Sequence, residues 1–182
     1  AAYFGGPVSC DYEHEPPSWL IPELPHSARG YSLDDRGTMS DAYLGFNWAA
    51  FSHDIRTAGG FNPDVGPGSP TGARGQETDM QRRLRAQSVL PVDVDCARVW
   101  HYVPRNRSTV TWFLGRRVAM GRTRGLMEAS RPTGRSVATS LIRSSLSVAK
   151  QALRLNRQGM VSAASGAAYN WGTALSLFKK DT

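Results

Sequence analysis

The chain has 182 residues, enough for one domain with a sizeable core and too few for two comfortable ones. Hydrophobic residues make up 40% and charged residues 20%, a balance typical of a folded protein that gives no indication of disorder. The net charge is +7, but residues 1–95 carry seven Lys/Arg against thirteen Asp/Glu, whereas residues 96–182 carry fifteen against two. This asymmetry argues against a uniform nucleic-acid coat and favours an acidic catalytic region followed by a basic part that meets something anionic.

The chain begins without an initiator Met and part-way into an apolar strand, so we expect a fragment or a processed chain. It lacks the basic leader and long apolar stretch of a signal peptide. Cys10 and Cys96 lie far apart with no CxxC pair. This spacing predicts two small buried thiols in a reducing compartment rather than a disulfide or a zinc site.

In the first half of the chain, short strands alternate with long polar segments. Residues 3–8 and 42–51 are predicted strands, and Ser52 is a candidate cap for a short helix over residues 54–58. Residues 11–41 are rich in Pro, Asp, Glu and Ser, which predicts a long loop, and residues 62–75 form a Gly/Pro/Ser stretch. Long loops of this kind are often binding loops or lids.

The second half of the chain changes from strands to helices. A helix is predicted over residues 78–86, with acids in its first turn and arginines later, and strands are predicted over 89–94 and 96–103. Helices are predicted over residues 110–120, ending at Gly121, and over 137–155, which has one apolar face. Residues 160–178 have the length of a membrane span, but Ser, Asn, Gly and Thr dilute their hydrophobicity and favour a packed or interfacial helix.

The most informative stretch runs from Gly59 to Asp79, where a Gly-rich segment leads to carboxylates at a helix start. The helix dipole and the free N–H groups of the first turn favour an ionised carboxylate, as a general base requires. The alternative is that Glu77 and Asp79 only complement the helix dipole. Spacing alone leaves both interpretations open.

The sequence Gly45-Phe46-Asn47-Trp48-Ala49-Ala50-Phe51, followed by Ala58-Gly59-Gly60-Phe61 and Gly75-Gln76-Glu77-Thr78-Asp79-Met80, resembles the second half of family 2 glycosyltransferases. That family often shows a G-x-N-x-A-F strand, a G-G-F-D turn and a G-E-[DE]-T-D-L helix start. The resemblance continues through Val99-Trp100-His101-Tyr102-Val103-Pro104 to Gly121, and covers roughly residues 1–125.

The resemblance implies roles for individual residues. Glu77 stands at the family's second acid, the proposed base that deprotonates the acceptor hydroxyl. Gln76 replaces the first acid, which leaves open whether Glu77 acts alone or shares the work with Asp79. His101 matches a histidine that helps hold the divalent metal, and its alternative is a packed histidine at a strand end.

Further expected contacts concern phosphate and acceptor. Arg116, Arg117 and Arg122 are candidate phosphate ligands, with a solvated helix face as the alternative. Asn47 and Trp48 are candidate acceptor contacts, although Trp48 also fits a core position. No Asp-x-Asp motif is recognised in residues 1–60, so the donor-binding half is expected to precede Ala1.

The resemblance implies an α/β fold: the C-terminal part of a GT-A domain with a mixed sheet over residues 1–125, then an α-helical tail over 126–182. The expected activity is inverting transfer from a nucleotide-sugar donor to a saccharide or lipid-linked acceptor, with a divalent cation, Mg or Mn, as cofactor. The fragment alone is expected to be inactive. We expect a cytoplasmic location, with peripheral membrane contact through the basic tail and no nucleic-acid partner. The alternatives are a basic nucleic-acid-binding module or a membrane-surface module.

Overall fold

The computed structural model describes residues 1–34, 42–69, 74–127 and 133–178. The chain is mixed α/β, with small sheets and a helical C-terminal part, as expected at that level. The strands are β1 (Ala2–Gly5), β2 (Val8–Tyr12), β3 (Trp48–Ala50), β4 (Leu90–Asp93) and β5 (Val99–Val103). The helices are α1 (His26–Arg29), α2 (Ser52–Thr57), α3 (Gln76–Ala86), α4 (Val110–Met127), α5 (Gly134–Leu153) and α6 (Arg157–Phe178).

The strands form two adjoining ladders. β1 pairs antiparallel with β3 and parallel with β4, and β2 pairs parallel with β5. The strand predicted over residues 3–8 is confirmed for residues 3–5, which belong to β1, but its extent is wrong, because the chain is interrupted at Gly6 and Pro7 and Val8 begins β2. A Cβ on Gly6 would lie 2.2 Å from the carbonyl oxygen of Ala97, so this close backbone approach requires glycine. The Asn47 side chain bridges the same place by donating to the carbonyl oxygens of Pro7 (3.1 Å) and Ala97 (2.9 Å).

Two apolar clusters form the core. The first packs α3 beneath β1 and contains Tyr3, Tyr43, Ala58, Met80, Leu84 and Val89. The second contains Leu20, Leu24, Ala28, Val103 and Phe113. Residues 11–34 are therefore not the long loop that was predicted, because a 3₁₀ turn (Ile21–Glu23) and α1 bury leucines against β5 and α4. Residues 35–41 of that predicted loop lie outside the described part of the chain.

The long helices α4 and α6 pack closely through glycines. The predicted stop at Gly121 is wrong, and α4 continues to Met127. A Cβ on Gly121 would lie 1.9 Å from the carbonyl oxygen of Tyr169, and one on Gly172 would lie 2.0 Å from that of Val118. The interpretation of residues 160–178 as a packed helix is confirmed, and α6 meets α4 across the predicted boundary at residue 125. Within the described ranges, no helix combines the length and the hydrophobicity that a membrane crossing needs.

We expect Gly121→Ala to lower the free energy of unfolding by about 1–3 kcal/mol, because the added methyl group overlaps the Tyr169 carbonyl and forces the helices apart. Gly115→Ala is the matched control in the same helix, where a Cβ meets nothing within 4 Å. This control should raise the free energy of unfolding by up to about 1 kcal/mol, since alanine is the better helix former. Urea titration measures both, and equal effects would contradict the close contact.

Candidate functional site

A cavity of about 480 Å³ lies where the start of α3, the end of β5 and the first turns of α4 meet. It brings together three residues singled out from the sequence, namely Glu77, His101 and Arg116. Its other charged and aromatic lining residues are Arg74, Arg107, Tyr43, Phe46 and Trp112. The cavity therefore combines one carboxylate and one imidazole with three guanidinium groups.

Glu77 is the second residue of α3, which begins after Gly75 in the left-handed region at φ 95°. Near the helix N-terminus, the unpaired backbone N–H groups and the helix dipole stabilise an ionised carboxylate. The side chain lies against Gly45, where a Cβ would be 2.3 Å from Glu77 Oε1. Gln76 Nε2 approaches the same oxygen at 3.4 Å, a long and weak hydrogen bond. Glu77 is thus a carboxylate at the cavity wall that can accept a proton.

Asp79 lies one turn further along α3 and is occupied by neighbouring arginines. Its oxygens accept from Arg82 at 2.8 Å and from Arg83 Nε at 3.0 Å, and the residue is buried. Arg83 also donates to the carbonyl oxygen of Ala58, which ties α3 to the end of α2. Asp79 does not line the cavity. Its contacts are those of a residue that stabilises the helix start.

His101 lies on β5 and stacks on Phe46, with ring centroids 4.2 Å apart and planes 13° from parallel. Burial lowers the pKa of His101 below its usual value, and repulsion from Arg107 lowers it further. The imidazole is therefore neutral at neutral pH, the form that binds metals. In the described part of the chain, no group of three or more His, Cys, Asp or Glu side chains is placed to hold a metal ion. The donor set of this cavity by itself suits an anion better than a metal.

Arg116 is the guanidinium that enters the cavity from α4. Its Nε is buried and has no hydrogen-bond partner among the described residues. Its guanidinium carbon lies 5.7 Å from the centre of the Trp112 ring. Burial lowers the pKa of Arg116, and Arg74 and Arg107 lower it further, whereas Glu77 acts in the opposite direction. Three cations around one carboxylate leave an excess of positive charge that an anionic ligand would neutralise.

The remaining predicted site residues lie away from the cavity. Arg117 faces α6, where its guanidinium lies over Tyr169 at 4.9 Å. Arg122 is exposed on α4. Asn47 bridges the two ladders, and Trp48 packs edge-on against Tyr3 at 6.2 Å, which matches its alternative as a core residue.

Sequence reasoning missed Arg74, Arg107 and the stacking role of Phe46. Arg74 directly precedes the Gly75-Gln76-Glu77 motif, and Arg107 lies in the turn before α4. For Arg74, its position beside the motif was the available signal. Arg107 is distant from the motif in sequence, and only the fold brings it to the same cavity as Glu77. Both cysteines are free thiols, as predicted, but the predicted burial is wrong, because Cys10 is only partly buried and Cys96 is exposed.

Comparisons with known proteins identify no relative of this chain. No family model, no curated protein and no solved structure matches the chain. The function is therefore argued from the residues of the cavity and from the resemblance of the motifs that supply them.

The lowered pKa of His101 predicts a pH-dependent stability. The unfolded chain protonates this imidazole near pH 6.5 and the folded chain only at lower pH, so between these values the unfolded state binds more protons. Stability should fall as the pH drops from about 7 through the folded pKa. We expect His101→Asn to reduce this loss, as measured by urea titration at several pH values. His53→Asn, at an exposed position of α2, is the control, and an equal effect of both changes would contradict the assignment.

Proposed function

We propose that this chain carries the acceptor-activating site of an inverting family 2 glycosyltransferase. Such an enzyme transfers a sugar from a nucleotide-sugar donor to a saccharide or lipid-linked acceptor. The observation that carries the proposal is one cavity in which Glu77, at a helix N-terminus, faces the guanidinium groups of Arg74, Arg107 and Arg116. Displacement of a nucleoside diphosphate needs both of these features, a base and a receptor for the departing anion.

The proposed reaction is a single in-line displacement. Glu77 takes the proton of the acceptor hydroxyl, and the freed oxygen attacks the anomeric carbon opposite the diphosphate. The bond from that carbon to the diphosphate oxygen breaks, and its electron pair leaves with the diphosphate. The configuration at the anomeric carbon is thereby inverted. Arginines stabilise the leaving group through charge-assisted hydrogen bonds, and Arg116 Nε is a donor without another partner among the described residues.

The divalent cation, Mg or Mn, stays a prediction from the family resemblance. His101 is the cavity residue that would contact it, and a neutral imidazole is a suitable ligand. When bound, the cation would neutralise charge on the diphosphate. The steps above depend only on Glu77 and the arginines.

The finer fold assignment is part of the same proposal. We take residues 1–125 as the C-terminal part of a GT-A domain, supported by the mixed pairing of β1 with β3 and β4 beside α3. Activated sugars of the cytoplasm would supply the donor substrate. A compact cavity of about 480 Å³ favours a small anionic ligand over nucleic acid, which is read along an extended surface.

Inorganic pyrophosphate should bind this chain, and Arg116→Gln should weaken that binding at least tenfold, because a charge-assisted hydrogen bond contributes about 1.5–3 kcal/mol. Arg56→Gln removes the same charge from exposed α2 and should leave the affinity unchanged. Isothermal titration calorimetry measures both. Equal losses of affinity in the two variants would mean that binding depends only on the net charge of the protein. Absence of pyrophosphate binding would contradict the anion site.

Transfer itself is tested in a chain that also carries the expected donor-binding half. There, Glu77→Gln should lower kcat by about 10²–10⁴-fold with donor affinity retained, because the amide cannot take the proton. Asp79→Asn should instead lower the free energy of unfolding while turnover of the folded enzyme stays near normal. A reversed pattern would move the base to Asp79.

A further inference from the structure

The outer face of α5 is apolar and has no packing partner among the described residues. The opposite face meets α6, where Ser144 accepts a hydrogen bond from Asn170 at 3.0 Å and Val137 is buried. The outer stripe consists of Ile142, Leu146, Ala149 and Leu153, which are three or four residues apart and therefore share one helix face. Ile142 is 62% exposed, Leu146 66% and Leu153 88%.

The turn between α5 and α6 extends this stripe. Leu155 follows the end of α5, is 87% exposed and has a positive φ of 52°, a region that leucine rarely adopts. Packing does not explain two leucines that project almost completely into solvent at one end of a helical hairpin. Large exposed apolar groups of this kind mark an interaction surface.

Basic residues border the stripe on one side. Arg143, Lys150 and Arg154 are each one position after a stripe residue and are exposed, and Arg157 follows at the turn. The whole segment from residue 134 to 178 contains no Asp or Glu. An apolar stripe with a purely cationic flank is the pattern of a helix that lies in the interface of a membrane.

We infer that the outer face of α5 and the α5–α6 turn bind an anionic lipid surface. The leucines enter the boundary between headgroups and acyl chains, and the basic flank contacts the lipid phosphates. A second copy of the chain fits less well, because pairing of two α5 faces brings like charges together with no acid on either helix to offset them. Nucleic acid would use the charges but not the leucines. This inference does not depend on the proposed transferase activity.

The test is co-sedimentation of the whole chain with vesicles of phosphatidylcholine, with and without phosphatidylglycerol. We expect binding to the anionic vesicles and weaker binding at high salt. Leu153→Ser with Leu155→Ser should reduce the partition coefficient about a hundredfold, given the apolar surface that each leucine buries. Replacing Arg143, Lys150 and Arg154 by Gln should also reduce it about a hundredfold, at about fivefold per basic residue.

Matched controls remove similar groups elsewhere. Leu90→Thr changes an exposed leucine on β4, which is 59% exposed, and Arg56→Gln removes a cation from α2. Both should bind vesicles like the unmodified chain, and circular dichroism should show all variants folded. Three results would overturn the inference: no binding to anionic vesicles, binding that neither α5 variant weakens, or self-association that Leu153 and Leu155 control without lipid.

Discussion

The cavity depends on a pair of hydrogen bonds between a side chain and a backbone segment. The fully buried amide of Gln81 accepts from Tyr43 N at 2.7 Å and donates to Tyr43 O at 3.0 Å. Through these bonds, a side chain of α3 pairs with the backbone of an irregular segment at Tyr43. The Tyr43 ring covers Gly5, where a Cβ would lie 2.2 Å from the ring, and its hydroxyl donates to Asp93 at 2.7 Å. Held in this way, the following residues set Gly45 against Glu77 and Phe46 against His101, so the buried Gln81 amide helps to position the Glu77 carboxylate and the His101 imidazole.

The electrostatics of the cavity follow from what burial demands of its charges. A guanidinium removed from water loses hydration that only hydrogen bonds or opposite charge can restore. Asp79 accepts hydrogen bonds from Arg83, whose Nη2 is nevertheless buried without a partner among the described residues, and from Arg82, which is 70% exposed. Arg116 likewise has a buried Nε without a partner among the described residues, and Arg74, Arg107 and Glu77 are the charged groups that act on it. The two carboxylates at the start of α3, Glu77 and Asp79, therefore have different surroundings. Asp79 is engaged in ion pairs with Arg82 and Arg83. Glu77 lies at the wall of a cavity that carries an excess of positive charge. This difference supports the proposal that Glu77, rather than Asp79, takes the proton.

The sequence predicted α3 well because its signals are local: acids in the first turn, arginines in the last, and glycine before it. It also placed Glu77, His101 and Arg116 in one site, since ordered motifs carried them. Prediction from the sequence failed where contacts between distant parts of the chain determine the structure. Gly121 resembles a helix stop, but α4 continues through it and it is a contact point for α6. Trp48 packs edge-on against Tyr3, which fits its alternative as a core residue, while its contact with an acceptor stays a prediction. The hydrogen bonds between Tyr43 and Gln81 join residues that are 38 positions apart, and no local sequence pattern predicts them.

The basic residues in the second half of the chain lie in two different surroundings, which the net charge of the sequence does not distinguish. Arg107 and Arg116 line a cavity, where their guanidinium groups could donate charge-assisted hydrogen bonds to a small anion, as proposed above. Arg143, Lys150 and Arg154 are exposed on the outside of α5, where they would add long-range attraction to an anionic surface, and the exposed leucines beside them would supply the apolar contact. Under the proposed function, a saccharide acceptor linked to a lipid would use both regions, because its reacting hydroxyl would have to reach Glu77 while its anchor stays in the bilayer. The two cationic regions are therefore compatible with one protein that works at a membrane surface on a substrate held there.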